Sequence, residues 1–193
     1  ELPDEKAVLI CDIGALHIEV TILGQQSGRW TVLSTAQCGV GSELIDERLA
    51  DHLGRAFQRE HGLAVWPHRK TLARLRLAAE WAKCQLAVSE HVTVRLPELI
   101  TLADAPIDLV ADLASEQLAL LVEDDLRKAL DVIEIALRAA RLRPQQLHAV
   151  LLSGGGARLP LWADLVTAHT VMRPVLQPAP EEMIARGAAL LAG

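Results

Sequence analysis

The stretch Leu151-Leu152-Ser153-Gly154-Gly155-Gly156-Ala157-Arg158-Leu159-Pro160 constrains the fold more than any other part of the chain. The apolar run 149–152 reads as a buried strand, three glycines form a turn, and Pro160 suits the first turn of a helix running to about residue 169. Glycines at such a junction let backbone N–H groups come close to a ligand, and a helix start favours anions. Arg158 stands beside the turn, where a planar guanidinium can stack on a base or pair with an anion. Three glycines are equally a plain strand-to-helix connection, so the turn alone leaves both readings open.

A chain of 193 residues is ample for one domain or one large lobe with its own core. Hydrophobic residues make up 51% and charged residues 23%, an ordinary globular balance. A net charge of -6 with scattered Lys and Arg argues against a nucleic-acid partner. The apolar runs are too short for a membrane-spanning helix, and no basic-plus-apolar leader opens the sequence. Cys11, Cys38 and Cys84 are odd in number and lack CxxC spacing, which predicts free thiols in a reducing, cytoplasmic setting. The histidines show no paired ligand spacing, so no metal site held by the chain alone is expected.

Read in order, residues 7–10 form an apolar run ending in Cys11-Asp12-Ile13-Gly14. Alternation over 17–23, turn residues over 25–28 and a returning run over 30–34 predict a β-hairpin. Ser42 is an N-cap for a helix carrying Ile45, Leu49, Leu53 and Phe57 at four-residue steps. Gly62 and Pro67 break it, and a second helix follows with Leu72, Leu75, Ala79, Ala82 and Leu86 on one stripe. A strand over 91–96, a loop over 97–106 and one long helix over about 115–140 come next. Pro144 opens a short turn, the glycine unit follows, and Pro180-Glu181-Glu182 starts a closing helix. The order predicts an α/β architecture.

Several of these segments together resemble the second lobe of the nucleotide-binding domain in the DnaK-type 70 kDa heat-shock proteins, a branch of the actin-like ATPase (ribonuclease H-like) fold. Asp12-Ile13-Gly14 with Glu19-Val20-Thr21 sits where that family has its second phosphate loop. Val40-Gly41-Ser42-Glu43 with Asp46 and Arg48-Leu49 matches its helix opening after the hairpin. Arg74-Leu75-Arg76, Ala79-Glu80 and Ala82-Lys83 resemble its adenosine-contacting helix, and Val122-Glu123-Asp124 its long helix. Gly154-Gly155 with Arg158 and Pro160 resembles its adenine loop, and Pro180-Glu181-Glu182 with Gly187-Ala188-Ala189 its closing helix. The resemblance covers nearly the whole sequence. It implies a core subdomain over 1–61 and 115–193 and an inserted α+β subdomain that includes 62–114.

The resemblance also implies site residues for ATP or ADP with Mg2+. Glu80 and Lys83, three apart on a helix, would hold the ribose hydroxyls; apart from the resemblance they form an ordinary surface ion pair. Gly154 and Gly155 would pass the adenine and a phosphate, and Arg158 would pack on the base. Gly14, Gly41 and Glu181 would border the nucleotide, and Asp12 would lie near metal and attacking water in an intact member. Departures weaken the pattern. Where the family's phosphate loop reads Asp-Leu-Gly-Gly-Gly-Thr, this chain has Asp12-Ile13-Gly14-Ala15-Leu16-His17, and Ala15 and Leu16 resist positive φ and place side chains where phosphate would approach. His17 is a phosphate donor or a structurally satisfied histidine. Cys84 replaces the arginine that would sandwich the adenine, Ala87 a serine, Ser42 a glycine and Glu181 an aspartate.

The family's first lobe would precede Glu1 and its substrate-binding domain would follow Gly193, so the sequence reads as one lobe of a longer protein. Phosphoryl transfer needs both sides of the cleft, and the lobe alone is expected to be inactive as an ATPase. Three functions follow: a divergent nucleotide-switched chaperone, a non-catalytic co-chaperone or scaffold, or another actin-fold enzyme such as a sugar kinase, which the Glu80–Lys83 context disfavours. The partners implied are a nucleotide-exchange factor or co-chaperone on the inserted subdomain, with no nucleic acid and no membrane.

Overall fold

The computed structural model describes residues 6–192. They form two compact units, one made of residues up to Ser42 and from Asp124 onward, the other of Glu43–Glu123.

The first unit is built on a five-stranded sheet in the order β3-β2-β1-β6-β7. β1 (Lys6–Ile13) buries Ala7, Leu9, Cys11 and Ile13. β2 (Ile18–Gln26) is antiparallel to it and buries Ile18, Val20 and Ile22, with Cys11 opposite Val20 and Leu9 opposite Ile22. Period-two alternation thus lines one sheet face with branched and small apolar residues. Ser27 and Gly28, at φ +49° and +80°, turn the chain into β3 (Arg29–Cys38). Two positive φ values give the turn whose twist matches a hairpin.

After the second unit, α4 (Glu123–Ala139) returns with Val132, Ile133, Ala136 and Leu137 buried. The buried Ser34 hydroxyl of β3 donates to the Ala136 carbonyl at 2.8 Å, which satisfies a polar group that would otherwise be costly to bury. β6 (Ala149–Ser153) then runs parallel beside β1, with Leu152 opposite Cys11 and Ser153 opposite Asp12. α5 (Pro160–Thr170) follows, then a short β7 (Val175–Leu176), a 3₁₀ turn Pro180–Glu182 and α6 (Met183–Ala192).

The second unit pairs two helices with a hairpin. α1 (Ser42–His61) buries Ile45, Leu49, Leu53 and Phe57 as its stripe predicts, and α2 (Arg69–Leu86) buries Leu75, Ala79, Ala82 and Leu86 of its stripe, with Leu72 half-buried. A Cβ on Gly54 of α1 would stand 2.8 Å from a Val65 methyl, so glycine is needed where the returning chain crosses. β4 (His91–Leu102) and β5 (Ala105–Ala114) form a separate two-stranded sheet, followed by α3 (Ser115–Leu121).

Two expectations are corrected. Residues 97–106 are hairpin rather than loop: Pro97 sits in a bulge between Leu96 and Ile100, Glu98 takes φ +49°, and Ala103-Asp104 make the two-residue turn at φ +49° and +64°. The bulge explains how proline is tolerated there. The single helix over 115–140 is two, broken at Val122, whose φ of -114° and ψ of 6° leave the helix one residue before the change of unit. The compact units divide at 42/43 and 123/124. α1 shares its packing with α2, and Ser115 continues directly from the hairpin by an N–H bond to Glu90 O at 2.9 Å.

Candidate functional site

In the first unit the glycine turn is fixed from two sides. Gly154 has φ +83°, and a Cβ there would stand 2.3 Å from Ile13 O and 2.9 Å from Asp12 Oδ1. Its N–H donates to Pro180 O at 2.9 Å. Ser153, immediately before it, donates its hydroxyl to Asp12 Oδ1 at 2.6 Å. Asp12 is thereby clasped at the carboxyl ends of two parallel strands, the position where open α/β sheets present ligands. A Cβ on Gly156 would meet the Ile13 side chain at 2.5 Å, whereas one on Gly155 would find nothing nearer than Glu181 Cβ at 3.9 Å. Of the three glycines, two are required by the chain's own packing, whereas Gly155 is exposed and has room for a side chain in ordinary contact with Glu181.

Arg158 ends the 3₁₀ turn Gly155–Arg158, and its guanidinium donates twice to Glu181, Nε to Oε2 at 3.1 Å and Nη2 to Oε1 at 2.7 Å. The fork-to-fork geometry joins the glycine turn to the segment opening α6. The hydrogen bonds hold the Glu181 carboxyl below its ordinary range and raise the guanidinium further. The guanidinium edge is thus engaged, while half of the side chain remains exposed.

The β1–β2 turn is held by backbone hydrogen bonds. Gly14 N–H donates to His17 O at 3.0 Å, and Ser42 N–H donates to Gly14 O at 3.0 Å. Ala15 and Leu16 turn the corner at negative φ, so their side chains impose no left-handed strain. They are displayed outward instead, with Leu16 66% exposed. A Cβ on Gly41 would lie 2.2 Å from Ala15 O, so this glycine accommodates the backbone of the turn. Gly14 and Gly41 are brought together here, and Ala15 and Leu16 occupy the corner with side chains rather than with the bare backbone of a glycine cradle.

Glu80, Lys83 and Cys84 lie on α2 of the second unit. Lys83 is 9% exposed, and its ammonium donates to Asp46 Oδ2 at 2.6 Å. Asp46 on α1 has its carboxyl raised by burial, against the lowering pull of Lys83, and its Oδ1 has no hydrogen-bond partner among the described residues. Glu80 is exposed and lines a cavity of about 250 Å3 with Glu43, Asp46, Glu47, Arg76 and Leu77. Lys83 is therefore tied to a second carboxylate, a partner that no helical spacing reveals. The Cys84 thiol is exposed, Cys38 is half-buried and Cys11 is buried, all three free. Among the described residues no group of three His, Cys, Asp or Glu could hold a metal ion, and no helix is long and apolar enough to cross a membrane.

Two residues that sequence reading gave no role stand out here. Ser153 could have been found from a parallel register that places it opposite Asp12, and Asp46 only from the three-dimensional packing of α1 on α2.

Comparison with known proteins adds a family. A family model described as Hsp70 protein matches residues 2–193. The chain is 31% identical over 194 residues to heat shock 70 kDa protein 7, chloroplastic, of Arabidopsis thaliana, covering 100% of this chain and 27% of that protein. It is 31% identical over 194 residues to the stromal 70 kDa heat shock-related protein, chloroplastic, of Spinacia oleracea, covering 100% and 32%. It is also 31% identical over 191 residues to chaperone protein dnaK3 of Synechococcus elongatus, covering 98% and 26%. The chain thus spans about a quarter to a third of the length of these relatives.

Proposed function

The chain belongs to the Hsp70 protein family, and from that premise we propose that it acts as the second nucleotide-binding lobe of a divergent Hsp70-like chaperone, its ATP or ADP and Mg2+ site shared with a further lobe. The mixed α/β sheet and helices agree with the actin-like ATPase fold of that family. The observation that carries the reading is the clasp of Asp12, Ser153 and Gly154 beside the exposed Gly155. It leaves a short, rigid backbone turn next to a positioned carboxylate, which is what a nucleotide base and its phosphates require. Within the first unit, the exposed flank of Arg158 is the base-side group of this proposal. A bound Mg2+ would neutralise phosphate charge, and Asp12 would hold water or metal near it.

A second reading, a scaffold or co-chaperone without nucleotide chemistry, is favoured by one observation: Ala15 and Leu16 place side chains at the β1–β2 corner while their backbone packs onto Gly41. Calorimetric titration of ATP and ADP with magnesium into the longer protein carrying this lobe separates the two. Micromolar binding supports the nucleotide-switched chaperone; no heat of binding leaves the scaffold. A nucleotide-exchange factor or co-chaperone on the unit Glu43–Glu123 is the partner of the first reading. A reducing compartment such as the cytoplasm fits the three free thiols.

A further inference from the structure

α2 and β4 diverge along their length. At one end they are stitched together: Arg74 donates to Glu98 O at 2.6 Å and Pro97 O at 2.5 Å, and Thr71 donates to Leu99 O at 3.3 Å. At the other end a groove of about 580 Å3 opens, lined by Leu77, Ala78 and Trp81 of α2 and by residues 93–96 of β4. Leu77 is 68% and Trp81 48% exposed, four residues apart on one helix face. Among the described residues β4 pairs with β5 alone, so every other residue along this stretch turns its N–H and C=O away from the hairpin. An open strand edge beside an exposed tryptophan is a template for one more strand.

The charge of the groove selects what fits. Arg95 lines it and is not paired with a carboxylate among the described residues, and Arg74, engaged by the Glu98 and Pro97 carbonyls, adds positive charge at the stitched end. This is a cationic strip on a chain of net charge -6. We infer that the groove captures an extended acidic–apolar segment of a partner protein, which adds as a strand to β4, seats its apolar side chains on Leu77 and Trp81, and directs its carboxylates to Arg95. Main-chain hydrogen bonds supply the affinity of such an added strand, and alternate side chains its specificity.

The test uses two synthetic nine-residue peptides, one alternating valine with aspartate and one alternating valine with lysine, titrated into the isotope-labelled chain and followed by amide resonances and hydrogen exchange. The aspartate peptide is expected to shift the resonances of residues 93–96 and the Trp81 indole, and to slow exchange of the outward amides of β4. Trp81→Asp is expected to weaken it at least tenfold, and Arg95→Glu, an exposed change that leaves the fold intact, to move the preference to the lysine peptide. Unmoved 93–96 resonances, equal binding of both peptides, or an Arg95→Glu variant that keeps the original preference would overturn the proposal. So would concentration-dependent protection of residues 93–96 without peptide, which assigns the edge to a second copy of the chain.

Discussion

Ser153 donates its hydroxyl to the carboxylate of Asp12 at 2.6 Å, closing a hydrogen bond between residues 141 positions apart at the ends of two neighbouring parallel strands. The bond can form only because Gly154 leaves no side chain between its backbone and Ile13 O. The two glycines that follow Ser153 therefore predict opposite outcomes. Gly154→Ala combines positive φ with a 2.3 Å clash and is expected to cost about 3 kcal/mol of stability, whereas Gly155→Ala should change it by about 0.5 kcal/mol or less. Urea midpoints of the two variants check this, and equal midpoints would sink it.

Lys83→Met removes the cation from a nearly buried pair and leaves the Asp46 carboxylate without its hydrogen-bonded partner. The expected loss is about 3 kcal/mol, the usual penalty for an uncompensated buried charge. The partner has its own pH signature. Burial raises the Asp46 carboxyl above 3.8, so the folded state binds that proton more tightly. Its stabilising contribution is complete below 3.8 and declines as pH rises through the raised value. Asp46→Asn should flatten that part of the stability profile in a pH series of urea melts.

His52 shifts the other way. Burial, reinforced by Arg59, lowers its pKa from 6.5, so the folded chain prefers the neutral ring. Stability from this group is present above 6.5 and lost as pH falls through the lowered value. Replacing His52 with Gln should reduce the loss of stability on mild acidification, read from thermal midpoints at neutral and mildly acidic pH.

The three thiols should separate by reactivity. Burial, then the charges of Asp12 and Cys38, push the Cys11 thiol up to about 12, leaving almost no thiolate at neutral pH. A chromogenic disulfide reagent is expected to modify Cys84 first, Cys38 more slowly and Cys11 only on unfolding. Mass mapping of the modified peptides decides the order.

Restoring glycine, glycine and threonine at Ala15, Leu16 and His17 tests the proposed nucleotide site directly. Because the present turn stores no left-handed strain, the gain must come from removing the exposed side chains. ATP affinity of the longer protein should rise at least tenfold, about 1.4 kcal/mol. Unchanged affinity would put the deficit outside this turn.

What the sequence displayed was local. The Ile45-Leu49-Leu53-Phe57 stripe and the run from strand through glycines to Pro160 are short-range patterns, and the chain follows them. Pro97 and the 103–104 turn misled because a bulge and a glycine-free turn hid a hairpin behind loop-like residues. The break at Val122 carries no glycine or proline. Lys83 with Asp46, and Arg158 with Glu181, were illegible for another reason: each pair joins separate elements, and no periodicity encodes which charged group a lysine or arginine will reach.

The placement of one unit inside the other sets an order of assembly during synthesis. β1, β2 and β3 leave the ribosome as a hairpin-linked set whose β1 edge has no neighbour until β6 has been made. Over that interval the unit Glu43–Glu123 is complete in sequence and can close its own core. Until then β1, paired on one side with β2, keeps its other edge open, the kind of surface that recruits other chains. The fold is thus discontinuous in time as well as in sequence, its sheet closing only once the last strands are made.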